Sequence, residues 1–250
     1  MLAAVPAATA MLRLMWVFPL AAALVAVLFA AALVRRYVAG RRPYELVWAL
    51  ALLMYAGASL AVALGVANGW TSGEFRVYWA LGAVLNVPFL AAGELELLFP
   101  GRGVRWTLYV LLAFITAYTV AVVRTAEIHT VALAQDLPSG KEVFGDGTAA
   151  HRLPQVVAIP AYLVLLGGTL WSAWRMRGRP ELQDRFWGTL LIAFGATIIA
   201  GFGSAFAALG YLVPFSIALL VGICVMFLGF LRAARRRDLA PTGRDLAPTN

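Results

Sequence analysis

Residues 35–46 separate two long apolar runs and contain four arginines. Guanidinium groups keep their charge and hydration, so this segment cannot lie in hydrocarbon. It is therefore expected to be a loop at one side of a membrane, with a membrane-spanning helix on either side of it. A similar segment recurs at 175–182, where Gly-Arg again leads to Pro and Glu-Leu, and a Trp follows each segment (Trp48 and Trp187). The recurrence predicts a chain built from two related halves.

The composition agrees with a membrane protein. Hydrophobic residues make up 62% of the chain and charged residues 13%, which leaves too little polar surface for a soluble domain of this length. The net charge of +8 does not indicate nucleic-acid binding, because most of the arginines flank apolar runs, where they anchor helices at lipid headgroups. The lipid bilayer is the predicted partner, and no nucleic acid is expected.

Seven apolar runs are long enough to cross about 30 Å of hydrocarbon at roughly 1.5 Å per residue. They are 14–34, 47–67, 77–99, 106–123, 156–174, 186–207 and 211–231. Strands are not expected, because an open sheet edge cannot be satisfied in lipid. The predicted fold class is all-α: a polytopic membrane protein with seven transmembrane helices.

The distribution of positive charge predicts the orientation. Of the 20 Lys and Arg residues, fifteen fall on one side of the predicted membrane and five on the other. The positive-inside rule then places the N-terminus outside and the C-terminus in the cytoplasm of a multi-pass cell (inner) membrane protein. The outer loop 125–155 is the largest connection; residues 127–136 are expected to extend the fourth helix, and the glycines that follow to break regular structure. The polar tail 233–250 repeats Arg-Asp-Leu-Ala-Pro-Thr and is predicted to be disordered.

Aligning the first three runs with the last three pairs Pro43 with Pro180, Trp48 with Trp187 and Pro88 with Pro214. This predicts a 3+1+3 parallel repeat, with 1–103 and 156–232 as halves and 104–124 as a linker helix. Shared membrane composition is the alternative explanation of the matches.

This layout resembles that of the SWEET sugar facilitators, a resemblance that implies solute transport between the two halves. The wider family carries a Pro-Gln motif; here Pro154-Gln155 precedes the fifth run, whereas Arg13-Leu14 lie at the aligned positions of the first. Microbial rhodopsins are similar in span count and orientation, but their retinal is held by a lysine in the last helix. The one lysine of this chain, Lys141, lies in a loop, so retinal is excluded.

No cofactor, metal or enzymatic activity is predicted. Both histidines, His129 and His151, lie in the outer loop, so no span offers the axial ligands of a haem. No run carries a His-Glu-x-x-His zinc pattern, and no nucleophile–base arrangement is visible.

Two carboxylates, Glu94 and Glu96, lie within the third run, where charge is costly. We expect them to pair with Arg102, Arg105 or loop arginines; coupling to a proton or cation is the alternative. Small residues in the second run (Gly57, Ala61, Gly65) and the sixth (Gly195, Gly201, Gly203) are expected to allow close helix contact.

Asn86 is the most informative single residue, because an amide near the middle of a membrane helix must find a partner. That partner is either a neighbouring helix or a solute. Other polar side chains are predicted to lie at comparable depths and complete a solute site: Tyr55, Ser59, Tyr162, Thr197 and Ser216. Pro88 and Pro214 are predicted as paired hinges. The function predicted is a carrier or facilitator of a small polar solute. The alternative is a sensory or accessory subunit, and a homo-oligomer or a membrane partner subunit remains open.

Overall fold

The computed structural model describes residues 14–234, and all regular secondary structure in this range is helical. A short 3₁₀ turn, Leu14–Trp16, leads into the bundle. Seven helices long and apolar enough to cross a membrane follow: α1 Val17–Gly40, α2 Pro43–Asn68, α3 Ser72–Leu98, α4 Arg102–Thr125, α5 Ala149–Met176, α6 Pro180–Ala208 and α7 Leu212–Ala234. Their number, length and composition confirm the prediction of a multi-pass helical bundle. Nearly all of the predicted tail lies outside the described residues.

The helices extend beyond the apolar runs that predicted them, because backbone hydrogen bonds continue where the hydrocarbon ends. Helix α1 includes Arg35 and Arg36, and it stops where Arg41 adopts a left-handed backbone with φ of 51°. Helix α2 then begins at Pro43, a first helical position at which the missing N–H of proline costs nothing. The arginine-rich segment is thus a tight turn between two helix ends.

Six of the seven helices form a closed ring. In order around it, α1 packs on α2, α2 on α3, α3 on α5, α5 on α6, α6 on α7, and α7 on α1. Helix α4 lies outside this ring, against α3 and the first turn of α5. The predicted linker helix is therefore peripheral, while the two-half repeat itself stays a prediction.

The outward faces of the bundle, including α4, are apolar. Large hydrophobic side chains are strongly exposed on several helices, among them Leu28, Phe114, Leu163, Trp174 and Leu228. Exposed apolar surface of this extent is costly in water and is satisfied by lipid tails. The surface agrees with contact to a lipid bilayer.

Glycines bring α6 and α7 into close contact. A Cβ added to Gly195 would lie 2.6 Å from the carbonyl oxygen of Gly222, and a Cβ on Gly188 would lie 2.6 Å from that of Gly229. The two helices therefore touch through their backbones, as small residues allow in a membrane. This line of contact between α6 and α7 is called the α6–α7 seam. A Cβ on Gly201 would meet only Thr197 of its own helix, at 3.7 Å, so Gly201 does not form part of the seam.

The connection between α4 and α5, residues 126–148, is folded and is called the cap below. The expectation that 127–136 would extend the fourth helix is wrong: α4 ends at Thr125, and a 3₁₀ turn follows at Thr130–Ala134. The backbone is non-helical at 138–139 and 145–147, where breaks were expected, and a short helix, Gly140–Phe144, forms between them. Ser139 stabilises its start, since its Oγ accepts from the Glu142 N–H at 3.3 Å.

Aromatic side chains of α3 hold the cap against the bundle. The Phe144 ring centroid of the cap lies 5.5 Å from that of Phe75 and 5.7 Å from that of Trp79. The Trp79 Nε1 also donates at 2.9 Å to the carbonyl of Ala150, in the first turn of α5 next to the cap. A Cβ on Gly140 would lie 1.8 Å from the Trp79 ring, so only glycine fits there. The buried side chains of Leu137 and Val143 complete the contact. The cap thus closes over one end of the bundle, called the cap end; the other is the arginine-rich end.

Candidate functional site

Three voids lie in line along the axis of the six-helix ring. The cap cavity, at the cap end, has a volume of about 450 Å³, and the arginine cavity, at the opposite end, about 390 Å³. A middle void of about 20 Å³ lies between them. It shares Tyr55 and Asn86 with the cap cavity and Leu90 and Leu165 with the arginine cavity. The three spaces therefore form one interrupted path through the ring.

Asn86 lies where the cap cavity narrows into the middle void. Its side chain is 5% exposed, and its Oδ1 accepts no hydrogen bond from any residue that the structure describes. A buried amide oxygen without a donor costs about 1–3 kcal/mol. The sequence predicted that this amide must find a partner, and within the described chain its oxygen has none.

Three wide helical segments surround the cap cavity. The π-helical segments are Tyr78–Leu85 in α3, Pro154–Ala158 in α5 and Ile198–Gly203 in α6, and each contributes lining residues. A π turn carries an extra residue, which widens the helix, and such turns are frequent at functional sites.

Two of these segments have an identifiable local cause. Pro88 has no N–H, so the Val84 carbonyl loses its usual helical partner within the first π segment. Pro160 has the same effect on the Val156 carbonyl within the second. The sequence signal for these segments was a proline inside an apolar run, and for Pro88 that signal predicted only a hinge.

Four of the six predicted solute-site residues line the cap cavity: Asn86, Tyr55, Ser59 and Tyr162. The Tyr55 hydroxyl donates to the Leu219 carbonyl at 2.8 Å. The Tyr162 hydroxyl donates to Thr197 Oγ1 at 2.9 Å, so Thr197 supports the site from behind. Ser216 is fully buried in the second turn of α7 and does not line the cavity.

The two predicted hinge prolines lie at different depths. Pro88 is buried in the interior of α3, whereas Pro214 is the third residue of α7, in its first turn at the cap end. A first-turn proline interrupts no hydrogen bond and does not bend a helix. Their pairing as equivalent hinges stays a prediction that this placement does not favour.

The two carboxylates of α3 have different environments. Glu96 forms an ion pair with Arg105, and the Tyr109 hydroxyl donates to Glu96 Oε2 at 3.4 Å. Arg102 is exposed. Glu94 instead lines the arginine cavity, where Ser172 Oγ donates to its Oε1 at 3.3 Å.

Glu45 is a buried carboxylate that the sequence analysis did not single out. It lies in the first turn of α2, is 2% exposed and lines the arginine cavity. Arg36 Nε lies 3.4 Å from its Oε1, and its other oxygen has no partner among the described residues. The Arg36 guanidinium also stacks 4.9 Å from the Phe230 ring centroid. The available signal was an acidic residue beside arginines at the start of an apolar run.

Polar residues of the cap pair with one another. Lys141 Nζ lies 3.3 Å from Asp146 Oδ2, and this contact holds the pKa of Asp146 below its usual range. The Ser139 hydroxyl donates to Glu142 Oε2 at 2.9 Å and lowers the pKa of that carboxyl. Among the described residues, no three His, Cys, Asp or Glu side chains come together as a metal site would require.

No known protein family, curated protein or solved structure matches the chain. The resemblance in layout to the SWEET facilitators therefore stays a prediction.

Proposed function

We propose that this chain is a carrier or facilitator that moves a small, uncharged, hydrogen-bonding solute along the axis of its six-helix ring. The observation that supports the proposal is the line of three voids, with a cavity at each end and a constriction between them. Solute sites of transporters lie near the middle of the membrane, between groups of helices.

The lining of the cap cavity favours an uncharged solute. It is formed mainly by small and aromatic side chains, including Tyr78, Trp79 and Phe215, and no carboxylate from residues 14–234 lines it. Lys141 and His151 contribute from the cap side. The Asn86 amide at the inner end offers an acceptor to a solute O–H or N–H group, while the rings offer apolar contact. A solute with both an apolar face and hydroxyl or amide groups fits this lining.

Passage requires a conformational change, because the middle void has room for about one water molecule. The π segments supply places at which α3, α5 and α6 can change. When a π turn changes to α-helix, one residue leaves or joins the series of backbone hydrogen bonds, and the rest of the helix rotates. Such local changes would open the constriction to one cavity and close it to the other.

A sensory or accessory subunit is the second candidate. It is supported by the folded cap, which lies directly over the cap cavity and is held by the contacts of Phe75 with Phe144 and of Trp79 with Gly140. In that role an occupied cavity would alter the cap rather than release solute on the far side. Neither role requires a catalytic group, and we propose no enzymatic activity.

Solute flux into proteoliposomes distinguishes the two roles. The purified protein is tested by osmotic swelling with a panel of polyols, sugars and small amides, and at least one solute should enter faster than in protein-free liposomes. Alkylation of an Ala200→Cys variant should stop this flux, because Ala200 lines both the cap cavity and the middle void. This variant, and the control variant described next, are made in a background without Cys224.

A matched control is Val110→Cys on α4, whose side chain is exposed on the outside of the bundle. Its alkylation should leave the flux unchanged. Flux equal to that of protein-free liposomes for the whole panel, from protein shown to be folded, would contradict transport. Binding of a panel member without flux would favour the sensory role.

We further propose that the arginine-rich end faces the cytoplasm of a cell membrane, with the N-terminus outside. The proposal is supported by the fifteen-to-five distribution of the 20 Lys and Arg residues in the sequence.

A further inference from the structure

The arginine-rich half of the bundle contains three buried carboxylates, which differ in their partners. Glu45 pairs with Arg36 and Glu96 pairs with Arg105. Glu94 forms no ion pair with any residue that the structure describes, although it is only 4% exposed. Its one hydrogen-bond partner there is the neutral hydroxyl of Ser172. Glu94 is therefore the carboxylate without charge compensation.

A lone carboxylate in this position is unstable as an anion. Burying an unpaired charge is costly even after the surroundings relax, so such a group is neutralised or binds a cation. Glu94 lines the arginine cavity, whose volume of about 390 Å³ leaves room for water beside this carboxylate.

Helix α5 is shaped to receive this side chain. It presents Gly168 and Ser172, one turn apart, to α3: a Cβ on Gly168 would lie 2.8 Å from Glu94 Cγ, and Ser172 Oγ donates to Oε1 at 3.3 Å. The carboxyl group is thus held between two helices at the wall of the cavity. This arrangement is a site for one protonatable group rather than a surface carboxylate.

We propose that Glu94 is the proton-binding site that couples solute movement to the proton gradient; this deepens the proposed function and rests on it. Deprotonated, the Glu94 carboxylate requires the water of an open arginine cavity. Protonated, it is neutral and allows α3 and α5 to close around it. The charge state of one side chain thereby selects between open and closed forms of the arginine cavity.

The other charged groups facing this cavity set the context. They are Arg36 from α1, Glu45 from α2, Arg175 from α5 and Arg185 from α6, whereas α7 contributes Met226, Phe230 and Ala233. Arg36 pairs with Glu45 and stacks on Phe230, so its positive charge compensates the carboxylate of Glu45 and not that of Glu94.

The test is infrared spectroscopy of the full-length protein in lipid, which needs no solute. The wild-type protein should show the C=O stretching band of a buried carboxylic acid, and this band should disappear as the pH is raised. Glu94→Gln should abolish it. Glu96→Gln, the control on the same helix, should leave it in place, because Glu96 pairs with Arg105 and Glu94 has no such partner among the described residues. Ser172→Ala should shift the band to higher frequency, because the carbonyl oxygen loses its hydrogen bond; this variant keeps the test available if Glu94→Gln does not fold.

Three results would overturn the proposal: no such band in the wild type at any pH at which it is folded, a band that survives Glu94→Gln, or a band that sodium ions remove at constant pH. The last result would make Glu94 a metal-cation site instead. Since the spectra are recorded without solute, a protein that shows the band but moves no solute would refute transport while leaving the proton site in place.

Discussion

Replacing Asn86 with leucine should stabilise the folded protein and remove its response to solute. Leucine has a similar volume but no polar atoms. The Asn86 Oδ1 has no donor in the described chain, so its removal relieves a desolvation cost of about 1–3 kcal/mol. We therefore expect the free energy of unfolding of Asn86→Leu to rise by about that amount.

The sign of this change separates two roles of the amide. If Asn86 joined neighbouring helices, its replacement would instead lower stability by about 0.6 kcal/mol on average and at most roughly 1.7 kcal/mol. The assay is reversible denaturant unfolding in lipid–detergent mixtures, followed by tryptophan fluorescence. A solute identified in the flux panel is then added at a hundred times its dissociation constant. It should stabilise the wild type by about 2.7 kcal/mol and the variant not at all.

Thr119→Val provides a matched control. The Thr119 side chain is fully buried, and its Oγ1 also lacks a partner among the described residues, but it lies on α4, away from the cavities. This variant should be at least as stable as the wild type and should keep the full response to solute. An Asn86→Leu protein that is less stable than the wild type, or that binds the solute with unchanged affinity, would refute the assignment of Asn86 to a solute site.

Gly195→Ala should lower the free energy of unfolding by about 1–3 kcal/mol, because the new Cβ meets backbone 2.6 Å away, whereas Gly201→Ala, which meets no other helix, should be neutral or slightly stabilising. Equal stability of the two variants would contradict the α6–α7 seam. In a cysteine-free background on intact cells, an impermeant thiol reagent should label Val131→Cys, 87% exposed in the cap, and spare Ala39→Cys; the reverse labelling would invert the orientation. Lys141 lowers the pKa of Asp146 in the folded cap. The contact between the two side chains therefore stabilises the cap at pH values above the pKa that Asp146 has in the unfolded chain, and this stabilisation is lost as the pH falls through the lower pKa of the folded state. Amide protection in the cap should therefore decrease in acid, and Asp146→Asn should reduce this pH dependence, leaving the part that comes from Glu142.

The sequence alone determined the seven helices. A run of about 20 apolar residues is long enough to span the hydrocarbon core as a helix, and its exposure to water would be costly. It did not determine where the helices end. Residues 35–40 read as a charged loop but continue α1, since arginines form helix as readily as apolar residues do once outside the hydrocarbon. The short helix at 140–144, between the expected breaks, was not predicted; it forms because Ser139 caps it and Trp79 packs against Gly140.

The sequence also identified which side chains require a partner in the membrane, but not which partner each obtains. Glu94 and Glu96 are two residues apart, so they point about 200° apart around α3. One therefore meets Arg105 and the other meets the arginine cavity. Glu45, Asn86 and Tyr162 come from three different helices and line the path only because the ring closes as it does. Helix formation depends on neighbours in sequence, whereas the cavities depend on contacts between helices far apart in the chain, which only the tertiary structure decides.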